Sequence, residues 1–131
     1  FSYESGIFFI ELPSRRRLAY VRPKVEKDDN GKNIITYEGI DNSHKWNRLK
    51  TYGAKLVENI TQGVARDLLL YAMQNMQDME IGGHVHDEVI VECTPDVSVE
   101  QVCELMGQTP EWAEGLLLRA DGYECAFYMK Q

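Results

Sequence analysis

The sequence has 131 residues, of which 44% are hydrophobic and 27% charged, a balance ordinary for one globular domain with a moderate core and too short for a large two-domain enzyme. Its net charge of −7 argues against a protein that coats nucleic acid by bulk charge, while leaving room for a local basic patch. No apolar run approaches the roughly 20 residues that span a bilayer and no signal peptide is visible, so the expectation is a soluble, cytoplasmic protein with no membrane partner.

In chain order, Phe1 stands first instead of Met, which suggests a fragment or a processed product. Ser5 to Glu11 and Arg15 to Val21 read as two strands around the break at Leu12-Pro13-Ser14. Arg15, Arg16 and Arg17 form the one dense basic cluster, equally a solvated turn or a contact to phosphate. Pro23 to Lys32 is charged and turn-rich, and Asp28-Asp29-Asn30-Gly31 is a hairpin signal with Ile34 to Tyr37 as the returning strand. Gly39 to Lys50, with Gly39, Asn42, Ser43 and Asn47, reads as a surface loop.

Thr51 to Met76 is the strongest helix signal. Leu56, Ile60, Val64 and Leu68 recur at four-residue spacing, Tyr71 and Ala72 continue the stripe, and no proline interrupts. Lys55, Asn59, Gln62 and Arg66 gather on the opposite side as a strip of hydrogen-bonding groups about three turns long; a solvated face explains such a strip as readily as a binding one. Asp67 lies close to the apolar stripe and requires a partner. Gly63 either admits a close neighbour to the backbone or weakens the helix by about 1 kcal/mol.

Gly82-Gly83 leads into His84-Val85-His86-Asp87-Glu88-Val89-Ile90-Val91-Glu92, where two histidines and two acids interrupt an apolar, β-branched run. In one continuous strand Asp87 would share a face with Val85, Val89 and Val91, where an unpaired carboxylate costs several kcal/mol. A hairpin with His86-Asp87 at its apex avoids that cost, because Asp tolerates turn conformations. Thr94-Pro95-Asp96 ends the stretch. Val97 to Met106 reads as a second helix with Ser98 as its cap, Gln108 to Gly115 as a loop that packs Trp112, and the alternation of Tyr123, Cys125, Phe127 and Met129 against Glu124, Ala126, Tyr128 and Lys130 as a last strand. Cys93, Cys103 and Cys125 lack zinc-ligand spacing and read as reduced, mostly buried thiols. The order predicts an α+β fold in one domain, an antiparallel sheet whose hairpin packs against one long and one shorter helix.

Three chemistries compete for the central stretch. His84 and His86 could bind zinc with help from Asp87, but the hydrolase pattern this resembles needs a further Asp and His where Glu88 and Val89 stand. The cluster could be a hydrogen-bonded turn without chemistry. Alternatively, Asp87 and Glu88 could ligate magnesium, whose hard octahedral shell takes carboxylates, waters and substrate phosphates; two carboxylates at an apex suit phosphoryl transfer, and such a site needs another acidic ligand from elsewhere.

His86-Asp87-Glu88 within Val85 to Glu92 resembles motif C of family A DNA polymerases, the bacterial polymerase I and phage group. Leu12 to Tyr20 resembles the return of the fingers to the palm. Asn59-Ile60-Thr61-Gln62-Gly63-Val64-Ala65-Arg66-Asp67-Leu68-Leu69 resembles the long palm helix, and Arg119 to Lys130 the terminal strand of phage-type members. The resemblance implies a C-terminal palm portion: residues 1–50 the return from the fingers, 51–77 the palm helix, 82–93 the motif C hairpin, and 97–131 a helix and terminal strand. It implies nucleotidyl transfer from a dNTP to the end of a DNA primer, with Mg2+ as cofactor and primer–template DNA as partner. Asp87 would be a metal ligand, Glu88 its acidic neighbour at the metal, and His86 a buttress of the primer end. Gln62 would face the minor groove beside Asn59, with Arg66, Arg15, Arg16 and Arg17 on the DNA backbone. The family's motif A aspartate and its motif B lysine and tyrosine have no counterpart in these residues, so the isolated chain is expected to be inactive. The alternatives are a non-catalytic or split-gene module that docks on a partner polypeptide, or a metal-binding domain using His84, His86 and Asp87.

Overall fold

The computed structural model describes residues 1–128. The fold is α+β, and the chain divides into two compact units, Phe1–Val64 and Ala65–Gln131.

The first unit is built on an antiparallel five-stranded meander, β1 (Ser2–Glu4), β2 (Ile7–Glu11), β3 (Arg17–Lys27), β4 (Asn33–Ile40) and β5 (Trp46–Thr51), paired in chain order. Its tight turns use the residues that tolerate them. Gly6 and Gly31 take φ of +82° and +76°, a region open to glycine without steric cost. At the β3–β4 turn the Asp28 carboxylate accepts from the backbone N–H of Asn30 and Lys32, so the expected Asp-Asp-Asn-Gly hairpin is present. The β4–β5 turn repeats the device with Asp41, which accepts from Ser43 and Lys45.

Two expectations change here. Strand β3 does not stop at Val21 but runs on through Pro23 to Lys27, because a register irregularity between Val21 and Lys24 accommodates a residue that cannot donate a ladder bond. Gly39 to Lys50 is not a loop. Only the stretch around Asp41 turns; Trp46 to Thr51 pairs with Ile35 to Ile40, and its polar residues had concealed a strand with one solvated face.

The inner face of the meander carries an aromatic series. Phe8 lies opposite Tyr20 with ring centroids 6.4 Å apart, and Tyr20 meets Tyr37 edge-on at 5.1 Å, the arrangement that ring quadrupoles favour. Ile10, Leu12 and Tyr20 are buried there. Helix α1 (Gly53–Asn75) begins in this unit, where Leu56, Ile60 and Val64 of the predicted stripe are half-buried and the fully buried helix position is Gly63, which lies outside that stripe.

The second unit holds the rest of α1, a two-stranded sheet of β6 (Glu80–Val85) and β7 (Glu88–Glu92), helix α2 (Val99–Met106) and a 3-10 turn at Glu111–Ala113. Leu69, Ala72 and Met76 are buried, and Asp67 is buried and engaged, as its position required. Helix α2 starts at Ser98, whose hydroxyl accepts from the Gln101 backbone N–H while the Gln101 side chain accepts from the Ser98 N–H, a reciprocal capping box. Trp112 in the 3-10 turn is half-buried.

Residues 121–128 form no strand and are exposed; alternation alone does not make a strand without a partner edge to bond. Met129 and Lys130, the end of that expected strand, lie outside the described residues. The cysteines also depart from expectation: all three are free, but Cys93 and Cys125 are exposed and Cys103 is only half-buried. Among the described residues no helix is long and apolar enough to cross a membrane.

Candidate active-site hairpin and helix strip

The hairpin apex falls where charge placement puts it. Val85 pairs with Glu88 and His84 with Val89, leaving His86-Asp87 as a two-residue connection. His86 takes φ of +54° and Asp87 does not share the positive region. Two-residue hairpin loops need positive φ at the first central position to match strand twist, and in a non-glycine residue this costs about 1–2 kcal/mol. A register irregularity between Ile81 and Gly83 bends the supporting strand, a feature that re-aims the side chains beyond it.

This geometry presents His86, Asp87 and Glu88 together, all exposed. His84, opposite Val89, faces the other side of the ribbon from Glu88, opposite Val85. Among the described residues no three His, Cys, Asp or Glu side chains converge into a set that could hold a metal ion. Two adjacent carboxylates on a short turn supply hard oxygen donors of the kind that suits magnesium, but they fill only part of its shell.

One partner of the hairpin has no signal in the sequence. The Tyr128 hydroxyl donates to Glu88 Oε2 at 3.2 Å. Partial burial, reinforced by the hydrogen bond and the charge of Glu88, raises the phenol above its ordinary range, so it remains a donor. The contact spans forty residues of chain, and no spacing rule could have pointed to it.

On α1, Asn59 is half-buried and donates to the Tyr20 hydroxyl at 3.1 Å, which ties it to the aromatic series. Gln62 and Arg66 are exposed one turn apart, and Lys55 pairs with Glu58 at 2.9 Å. Within the strip Asn59 is half-buried and tied to Tyr20, while Gln62 and Arg66 are exposed.

The arginine cluster diverges. Arg15 pairs with Glu11 at 2.8 Å, and Arg17 reaches Glu4 and lies over the Phe9 ring, 4.3 Å from its centroid. Arg16 Nη2 donates to the Gly63 carbonyl at 2.9 Å. That contact resolves the question at Gly63. A Cβ there would lie 2.9 Å from Leu12 Cδ1 and 3.4 Å from Arg16 Nη2, so the glycine admits the β2–β3 turn to the helix backbone.

The class these elements define is an α+β chain bearing an acidic hairpin apex and a helix face of exposed amide and guanidinium groups. Among known proteins it is similar to the DNA polymerase of Bacillus phage SP02, at 46% identity over 134 aligned positions covering 99% of this chain. The chain spans about a fifth of that protein, 21% of its length. No protein-family profile matches the chain, and no solved structure matches it.

Proposed function

We propose that this chain is the motif C portion of the palm of a family A DNA polymerase, acting in template-directed transfer of nucleotides to a primer end. The observation that carries this reading is the near end-to-end similarity to a phage DNA polymerase in a chain whose Asp87 and Glu88 stand at a two-residue apex. In the assembled site Asp87 would hold magnesium, with Glu88 beside it and a further carboxylate contributed from elsewhere. A magnesium ion held there would supply positive charge for the phosphates of the incoming nucleotide. His86 stands against the primer end, and the strained backbone that aims it is a conformation found where function over-determines geometry. Gln62 faces the minor groove of the nascent pair, where its amide meets acceptors that every base pair offers, and Arg66 contacts the backbone.

A split-gene product that docks on a partner polypeptide is the second reading, and β6–β7 favours an incomplete unit in either case. Among the described residues this ribbon pairs with no other strand, and a two-stranded sheet is marginal by itself. In both readings the isolated chain is expected not to polymerise, since among the described residues no further acidic side chain joins the two carboxylates.

The test is a chimera in which this chain replaces the matching segment of the SP02 phage polymerase. Primer extension with magnesium is expected, falling about a hundredfold or more in Asp87→Ala, the loss of a charged ligand worth several kcal/mol. The 131-residue chain alone is expected to extend nothing. Extension by that chain alone, or a folded chimera indifferent to Asp87→Ala, overturns the reading.

A further inference from the structure

Charge is divided unevenly between the two units. Phe1–Val64 carries eleven of the fourteen Lys and Arg but only eight of the 21 acidic residues, so an acidic protein contains a basic half. The arginines of that half are paired, yet among the described residues Lys24, Lys27, Lys32, Lys45 and Lys50 have no ion-pair partner. All five lie on β3, β4 and β5 or their connecting turns.

The strand register brings part of this charge onto one face. Lys24 and Lys50 both lie opposite Thr36, one from each side; the Thr36 hydroxyl is buried, donating to Glu26 at 3.2 Å and accepting from Arg48 at 3.0 Å, so with Arg22 and Glu38 this outer face carries four cationic side chains against two carboxylates. One rung further, Glu38 lies opposite Arg48 and receives Arg22 at 3.2 Å and Arg48 at 3.1 Å, a cluster with net positive charge. At the end of the same face Trp46 lies opposite Ile40. Its indole N–H donates to Glu38 at 3.4 Å while the residue stays 60% exposed. The ring is thus oriented by its polar edge with its apolar surface uncovered.

We propose that this outer face of β3–β4–β5 binds a single nucleic-acid strand, with Lys24 and Lys50 on its phosphates and a base stacked on Trp46. A basic surface combined with exposed aromatic rings is the arrangement that holds single strands. A duplex offers phosphates to the lysines but keeps its bases stacked on one another. A protein partner fits less well, since the centres of protein interfaces are depleted of lysine. The face is separate from Gln62 and Arg66 on α1, and it rests on the polymerase reading only for the identity of the polyanion.

Binding of a fluorescent oligothymidylate of about 20 nucleotides to the complete 131-residue chain tests this by anisotropy. Affinity is expected to fall as salt rises. Lys24→Glu or Lys50→Glu is expected to weaken it about tenfold at low salt and to reduce the salt slope by about one. Trp46→Ala is expected to weaken it about tenfold without changing that slope. Arg119→Glu, an equal charge change in the other unit, sets the bulk-charge baseline, and circular dichroism of each variant confirms folding. The proposal is overturned if the folded chain binds no oligonucleotide, or if the lysine variants lose no more than Arg119→Glu. It is also overturned if a duplex of equal length binds more tightly with no effect of Trp46→Ala, or if the lysines mediate only salt-sensitive self-association. Oligonucleotide binding with an inactive chimera would leave this surface standing and remove the polymerase reading; an active chimera without binding would do the reverse.

Discussion

At Gly63 the ordinary rule for helices is expected to reverse. Alanine in place of a mid-helix glycine stabilises by up to about 1 kcal/mol, but here the added Cβ would meet Leu12 Cδ1 at 2.9 Å. Leu12 is 2% exposed and cannot swing away without disturbing its neighbours, and overpacking of this kind costs about 1–3 kcal/mol. Gly63→Ala is therefore expected to destabilise by about 1 kcal/mol, read as a lower urea midpoint at unchanged slope; a higher midpoint would refute the close approach. Glu38 gives a second residue-scale expectation. Partial burial opposes its ionisation, but the Trp46 hydrogen bond and the Arg22 and Arg48 guanidinium groups outweigh that and hold its carboxyl below the ordinary range. A carboxylate lowered in the folded state stabilises above its unfolded value, and the contribution disappears as pH falls through the folded one. Glu38→Gln should accordingly lie below the wild type in melting temperature at neutral pH, with the gap closing below about pH 4. A gap that stays constant into acid would mean that Glu38 contributes packing and not charge.

Helix α2 shows what a single cap does for a short element. It has eight residues with no fully buried side chain, so propensity and burial contribute little and the Ser98–Gln101 box carries a large share of its stability. Ser98→Ala is expected to cost about 1 kcal/mol and to reduce protection of the Val102 and Cys103 amides in hydrogen exchange; unchanged protection would show that tertiary contacts hold the helix instead. Elements whose causes are local were readable from the residues alone. The Ser98 cap, the Asp28 to Gly31 turn and the unbroken stripe of α1 all act within a few positions. The hairpin apex was readable for another reason: burying Asp87 costs more than a reversal of the chain at that point. Features made by distant pairing were not readable. Strand β5 has a polar face and a turn-like composition, and only the edge of β4 makes it a strand. Nor do the residues alone announce that the Asn59 amide reaches Tyr20, or that Arg16 and Arg17 reach the Gly63 carbonyl and Glu4. In the candidate site, adjacency in the chain revealed Asp87 and Glu88, while Tyr128 depended on a contact across the second unit.

At the scale of the whole chain, the two units differ in how their backbone groups are satisfied. In the first, β2, β3 and β4 each have a strand on both sides, so both rows of backbone groups are paired and the aromatic series covers one face. In the second, β6 and β7 pair only with each other among the described residues, although they carry the acidic apex. Local opening free energy follows burial and pairing, so the hairpin is expected to exchange its amides much faster than β3 does. Amides of β3 are expected to exchange near the global unfolding rate, while Val89 to Val91 exchange through local opening about 2 kcal/mol or more below it. If the hairpin belongs to a larger sheet, the remaining segments of the SP02 polymerase, joined to this chain, should supply an edge strand and bring Val89 to Val91 up to the protection of β3. On the polymerase reading, carboxylates held on a flexible ribbon would position a metal poorly, so the same joining should sharpen the dependence on magnesium. Equal protection of β3 and the hairpin in the 131-residue chain would show that the second unit is complete by itself, and would favour an independent module over a polymerase portion.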